Sequence, residues 1–202
     1  MMGAVVANYV KVIGFLKDGT RVVGVQAVDL LDGVQIEVHA KTVVNAAGPA
    51  AAELSPGLQL ANRKGHLVIT ERYPDFARHQ LVELGYLKSA HGRASDSVAF
   101  NVQPRNTGQI LLGSSRQFGV EGGEIDREIL RRMTARAFEY MPGLRKLSAV
   151  RVWTGFRPAT PDNLPYIGKL PENDNIYIAS GHEGLGITTS LGTGELIADA
   201  IL

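Results

Sequence analysis

Two stretches near the C-terminus decide the reading: R-V-W-T-G-F-R-P-A-T-P-D-N-L-P-Y-I-G, from Arg151 to Gly168, and I-A-S-G-H-E-G-L-G-I-T-T, from Ile178 to Thr189. The first presents Arg157, flanked by Phe156 and Pro158, on a stiff, Pro-bounded turn. The second reads as a strand, a glycine-rich bend and the start of a helix. A fixed guanidinium and a glycine-lined helix N-terminus both suit anionic ligands, the first through its planar fork and the second through its unpaired N–H groups.

Composition bounds the rest. At 202 residues the chain holds one domain or two small ones, and 45% apolar residues suffice for a core. Charge is balanced, 21 basic residues against 20 acidic, which leaves no electrostatic case for nucleic acid or a lipid surface. There is no cysteine, so disulfides, thiolate metal sites and a cysteine nucleophile are excluded, and a reducing cytoplasm is expected. No apolar run approaches the roughly 18 residues that span a bilayer. The N-terminal M-M-G-A-V-V-A-N-Y-V has no basic region and no secretory character.

Working outward, residues 4–45 read as a β-meander. Alternation from Val5 to Leu16 stops at Lys17-Asp18-Gly19, a second strand covers Arg21 to Asp29, and Leu31-Asp32-Gly33 turns into a third from Val34 to Lys41. Val43-Val44-Asn45 is a short strand entering Ala46-Ala47-Gly48-Pro49, followed by a connector from Leu54 to Asn62. Lys64 to Glu71 is a strand, 74–97 is irregular, and Val98 to Pro104 and Ile110 to Ser115 flank an R-N-T-G hairpin tip. Glu124 to Met141 is the clearest helix, with Ile125, Ile129, Met133, Ala137 and Tyr140 at helical spacing and Pro142-Gly143 ending it. Strands follow at Val150 to Gly155 and Asn175 to Ser180. A final helix runs from Gly186 to Leu202, with Ile187, Leu191, Ile197 and Ile201 on one side. Antiparallel runs with helices set apart predict an α+β class, divided at 1–62, 63–155 and 156–202.

Each motif carries two readings. Gly184-Leu185-Gly186-Ile187-Thr188 is either a bare turn into a helix or a partly positive helix end that stabilises a reduced flavin. Arg157 either pairs with an acid such as Asp162 or forks onto a substrate carboxylate. Ala46, Ala47 and Gly48 are an ordinary strand-end turn or a point of close backbone approach to a ligand. Tyr86, Tyr166 and Arg116 are structural residues or lining for a substrate cavity, and Trp153 reads as core. His182 and Glu183 read as loop residues rather than an acid–base pair. The five histidines lack ligand spacing, no carboxylate cluster points to a metal, and Gly113-Ser114-Ser115 lacks the surroundings of a nucleophile elbow.

Taken together, these motifs resemble the C-terminal part of the D-amino-acid oxidase family of flavoenzymes. The resemblance extends to bacterial D-amino-acid and hydroxyproline dehydrogenases and, further off, to glycine and sarcosine oxidases. T-V-V-N-A-A-G-P at Thr42–Pro49 resembles the segment that closes the cofactor sheet, with Ala50 where the family usually has tryptophan. K-G-H-L-V-I-T-E resembles the first strand of the substrate domain, and V-Q-P-R-N-T-G-Q-I-L-L-G-S-S-R-Q its hairpin. W-T-G-F-R-P-A-T-P-D is the most specific block, and its Arg157 matches the arginine that holds the substrate carboxylate. G-H-E-G-L-G-I-T-T matches the loop whose backbone touches the flavin.

The resemblance implies FAD as cofactor and oxidation of a small amino or imino acid, by hydride transfer from the α-carbon to flavin, without a protein acid or base. It implies substrate contacts at Arg157, Tyr86 and Arg116. It implies flavin contacts at Ala46, Ala47, Gly48, Gly184, Leu185, Gly186, Ile187 and Thr188. Segments 1–62 and 156–202 become parts of the FAD-binding domain and 63–155 the substrate domain. One departure is the absence of G-x-G-x-x-G, which binds the adenosine diphosphate half of FAD; Gly184 and Gly186 are correctly spaced but Thr189 stands third. A truncated flavoenzyme is therefore expected, its dinucleotide half supplied by a missing N-terminal segment or a partner chain. Oxidation of an α-hydroxy acid or glycerol phosphate, and a non-catalytic scaffold subunit, are the alternatives.

Overall fold

The computed structural model describes residues 3–85 and 96–202. The chain divides into two compact units: Met1–Ala61 with Pro158–Leu202, and Asn62–Arg157.

In the first unit, strands β1 (Val10–Asp18), β2 (Arg21–Asp29) and β3 (Gln35–His39) form an antiparallel meander in that order. The turns are set by local chemistry. Asp29 and Asp32 carboxylates accept the N–H groups of Leu31 and Val34, an arrangement that competes with continued strand. The first strand starts later than its alternation predicts. Val10 pairs with Asp29 at the end of β2, so Val5 and Val6 find no partner strand and Val5 is 93% exposed.

The second sheet of this unit is ordered β10-β11-β4, from β4 (Val43–Asn45), β10 (Tyr166–Lys169) and β11 (Ile176–Ser180). The β11–β4 pairing is parallel and the β10–β11 pairing antiparallel. A 3-10 turn (Gly48–Ala50) and the short helix α1 (Ala51–Leu54) follow β4. The last helix, here α3, covers Ser190–Ile201, four residues shorter at its start than expected. Residues Glu183–Leu185 form a 3-10 turn instead. The Leu185 carbonyl accepts both the N–H and the hydroxyl of Thr189, and the Ser190 hydroxyl donates to the Ile187 carbonyl. The expected apolar side is not formed: Ile197 is buried, but Ile187 and Leu191 are 95% and 88% exposed.

The second unit holds one five-stranded sheet ordered β6-β7-β8-β5-β9. Its strands are β5 (Ala61–Arg72), β6 (Leu81–Val82), β7 (Ser97–Pro104), β8 (Gln109–Arg116) and β9 (Ala149–Ala159). Helix α2 (Arg127–Tyr140) lies on one face. It starts three residues after Glu124 because Asp126 caps it, accepting the N–H groups of Glu128 and Ile129; Ile125 is left outside. Ile129, Met133 and Ala137 are buried, and Met133 and Ala137 join Val68, Phe100, Val102, Ile110, Leu112 and Leu144 in the core. Arg157 lies within β9, not on a turn. An edge strand tolerates Pro158 without losing a ladder bond, so the strand runs through it. No described helix is long and apolar enough to cross a membrane.

Met133 is 1% exposed at the centre of that core. Met133→Ala is expected to cost about 2–5 kcal/mol in urea unfolding. A loss below about 1 kcal/mol would show that α2 does not seal the sheet.

Candidate cofactor and substrate sites

In the first unit, the carboxyl ends of β4 and β11 lie side by side, because the strands are parallel and in register from Ile176↔Val43 to Ile178↔Asn45. Two loops leave from there. One is Ala46-Ala47-Gly48, and the other contains Gly184 to Thr188. Ligands in open sheets bind outside the carboxyl ends of such strands. Ser180 Oγ donates to the Gly48 carbonyl at 3.0 Å and ties the loops together. Asn45, a residue the sequence reading did not single out, shapes the first loop. Its Nδ2 donates to Ala51 O (2.9 Å) and Ser55 Oγ (3.0 Å), and its Oδ1 accepts the Ala47 N–H. A lone polar residue ending a β-branched run was the available signal.

Gly181 turns the chain out of β11 at φ 89°, and a Cβ there would sit 2.5 Å from Thr160 Cγ2. His182 Nε2 then lies 2.9 Å from Thr193 Oγ1 on α3, and burial holds its pKa below 6.5. The loop differs from a simple helix N-terminus. The Gly184 N–H is already taken by the Glu183 carboxylate at 2.7 Å, and the Leu185 N–H by the His182 carbonyl. Gly184, Leu185, Ile187 and Thr188 are exposed, as are Ala46 and Ala47. Ala46, Ala47 and Gly184 leave backbone accessible, while Leu185 and Ile187 present apolar side chains that are 58% and 95% exposed. Tyr166 belongs to this unit; its hydroxyl donates to Gln59 O, and it lines a cavity of about 620 Å³ together with Phe15, Leu58 and Glu172.

In the second unit, alternation sorts the residues onto two faces. Val68 and Val152 pack with the α2 core, Thr154 bonds Gly123 O, and Lys64 donates to Glu124 O. Arg63, Gly65 and Leu67 on β5, and Trp153, Gly155 and Arg157 on β9, therefore lie on the face away from α2. On β8, Ser115 and the following Gln117 reach His66 and Asp126 on the helix side, which sends Arg116 to the opposite face. Arg63, Arg116 and Arg157 thus share one face, with Arg63 stacked 5.1 Å from the Phe118 ring centroid. Arg116 is 4% exposed. Trp153 is half-buried on this face with Arg151 over its ring, rather than in the α2 core. Arg157 Nη1 donates to Ser115 O at 3.1 Å. Tyr86 lies outside the described residues. Among the described residues no group of three acidic, histidine or cysteine side chains could hold a metal.

Behind this face, His66 is fully buried. The Asp126 N–H points at its Nε2 (3.0 Å), so Nε2 is the acceptor and Nδ1 carries the proton toward Ser115 Oγ (3.0 Å). Burial first, then the Lys64 cation, hold the imidazole below its usual pKa, against a smaller upward pull from Asp126. The neutral form is therefore the folded form. Its stabilisation is complete above pH 6.5, where the unfolded imidazole is also neutral, and is lost as pH falls from there through the lowered folded value. The limiting slope is about 1.4 kcal/mol per pH unit. Urea midpoints measured from pH 7.5 to 5.5 should fall less steeply for His66→Gln than for the parent. His182 contributes in the same direction to both proteins, so parallel curves would remove His66 from the account.

Comparison with known proteins follows the same lines. The family model described as FAD dependent oxidoreductase matches residues 1–200. Hydrogen cyanide synthase subunit HcnC of Pseudomonas aeruginosa is 33% identical over 192 residues, 92% of this chain and 41% of that protein. Glycine oxidase of the same organism is 30% identical over 193 residues, 94% of this chain and 48% of its own length. The crystal structure of L-proline dehydrogenase from P. horikoshii superposes with a TM-score of 0.75 at 25% identity, covering 96% of this chain and 49% of that one. The chain spans about half the length of the relatives it matches. A closing strand with two glycine-bearing loops, an antiparallel sheet bearing an arginine face, and a match along nearly the whole sequence place this chain in the FAD dependent oxidoreductase family.

Proposed function

We propose that the chain is the C-terminal portion of a flavoenzyme that oxidises a small amino or imino acid. The observation that carries this reading is the Arg157 guanidinium, held by the Ser115 carbonyl on a sheet face that also bears Arg63 and Arg116. A planar, permanently charged fork anchored on the Ser115 carbonyl matches a carboxylate better than a mobile lysine would. Glycine oxidase and L-proline dehydrogenase, by their names, act on amino acids of this class.

In this reading residues 63–155 form the substrate domain, and β9 carries Arg157 just past that boundary. Arg157, Arg116 and Tyr86 bind the substrate. Residues 1–62 and 156–202 are the C-terminal share of the FAD-binding domain. Ala46, Ala47, Gly48 and Gly184 to Thr188 line the cofactor, offering a flat ring small residues, backbone and the exposed apolar side chains of Leu185 and Ile187. FAD, when bound, supplies the hydride-accepting ring. The protein orients the α-carbon by its carboxylate and needs no acid or base if the amine arrives neutral. A further segment or a partner chain supplies the dinucleotide fingerprint that this sequence lacks; one relative, HcnC, is itself named as a subunit.

Two measurements test the proposal. The isolated chain should bind FAD weakly, because no G-x-G-x-x-G anchors the pyrophosphate. Saturable, stoichiometric quenching of flavin fluorescence at low micromolar FAD would contradict that. In the FAD-loaded enzyme, Arg157→Lys should raise KM for amino-acid substrates by about 10- to 150-fold, the worth of one charge-assisted hydrogen bond, with flavin retained. The turnover number should also fall, because a misplaced α-carbon transfers hydride poorly. Parental kinetics in Arg157→Lys and Arg157→Ala would reduce Arg157 to a structural residue.

A further inference from the structure

Arg157 reaches farther across the sheet than its own strand explains. The order β8-β5-β9 places all of β5 between Arg157 and Ser115, two strand spacings or roughly 9–10 Å. The side chain therefore has to pass over β5 to donate to the Ser115 carbonyl, and it passes at Gly65. A Cβ built there lies 2.7 Å from Nη1, 2.7 Å from Nη2 and 2.9 Å from Cζ of Arg157, separations that packed carbons do not adopt. The guanidinium occupies the volume of the absent side chain.

The Ser115 carbonyl is available for a related reason. β5 and β8 pair at Lys64↔Gln117 and at Val68↔Leu112, but between them the His66 N–H turns to Ser115 Oγ at 2.8 Å rather than to a backbone carbonyl. The ladder opens at this point, and the Ser115 carbonyl takes Arg157 Nη1 instead.

We propose that Gly65 is the positioning residue for Arg157: the bare backbone of β5 and the ladder gap at Ser115 form a seat that fixes the guanidinium for a carboxylate. This rests on the reading of Arg157 as the carboxylate-binding residue. It makes the size of the side chain at position 65, not charge alone, a determinant of carboxylate affinity. The far end of an arginine is flexible, so a methyl at position 65 displaces the guanidinium before it disturbs the sheet.

The test uses the 202-residue chain with nitrogen-15-labelled arginine, the Arg157 Nε–H signal assigned by its loss in Arg157→Lys, and acetate as probe. Acetate should move that signal in the parent. Gly65→Ala should melt cooperatively, shift the Arg157 signal before any ligand is added, and weaken acetate binding about tenfold, as loss of one charge-assisted bond would. Gly65→Ala added to Arg157→Ala should leave the melting temperature of Arg157→Ala unchanged, because the methyl then meets no guanidinium. An unshifted Arg157 signal with parental acetate affinity in Gly65→Ala overturns the proposal. So does a Gly65→Ala chain that fails to fold both with and without Arg157, since Gly65 then serves the sheet itself; recovery of folding in the Arg157→Ala background supports the seat. If acetate leaves the parental Arg157 signal in place while Gly65→Ala displaces it, the seat stands and the carboxylate reading fails.

Discussion

The alternation of side chains along β5 is the constraint on which the second unit depends. Successive residues point to opposite faces, so one strand does two jobs. Lys64, His66, Val68 and Thr70 are buried on the α2 side, while Arg63, Gly65 and Leu67 line the other. Val68 enters the apolar core with Met133, and His66 accepts the Asp126 N–H at the start of α2. The helix is thereby held at its middle by burial and at its first turn by a hydrogen bond. A slip of one residue would exchange the faces, bringing Arg63 to the α2 side and turning Val68 away.

Polar groups behind the sheet link the core to the arginine face. Asp126 caps α2 and accepts from Gln117; its N–H meets His66; His66 meets Ser115; the Ser115 carbonyl meets Arg157. Each bond fills a polar atom that would be costly to bury unpaired. The neutral imidazole is essential to the chain of bonds, because a protonated Nε2 would face the Asp126 N–H donor to donor.

The first unit uses different means to a similar end. Its two loops owe their shape to side chains that bond beneath them, the buried Asn45 under one and the half-buried His182 under the other, with Ser180 joining them. Backbone and small residues are left at the surface beside the exposed apolar side chains of Leu185 and Ile187. The match of residues 1–200 places the chain in a family whose members depend on FAD.

The sequence by itself determined the elements whose information is local. The meander turns at Lys17-Asp18-Gly19 and Leu31-Asp32-Gly33, the hairpin at Arg105–Gly108, the strand Val43–Asn45 and the amphipathic α2 were all legible from turn residues and periodicity. The motifs around Arg157 and Gly184 also marked the α+β flavoenzyme family before any coordinates. Tertiary structure decided what depends on partners distant in sequence. Alternation continued through Val5, but strand formation required a paired neighbour that β2 does not extend to provide. Ile187 and Leu191 have helical spacing, yet a 3-10 turn precedes α3 and both side chains stay exposed. Pro158 read as a turn until the edge position of β9 let the strand run through it. Gly65 looked like any strand glycine. Its meaning came only when the fold laid a side chain from 92 residues later across its backbone, because exclusion of volume between distant segments leaves no trace in local sequence.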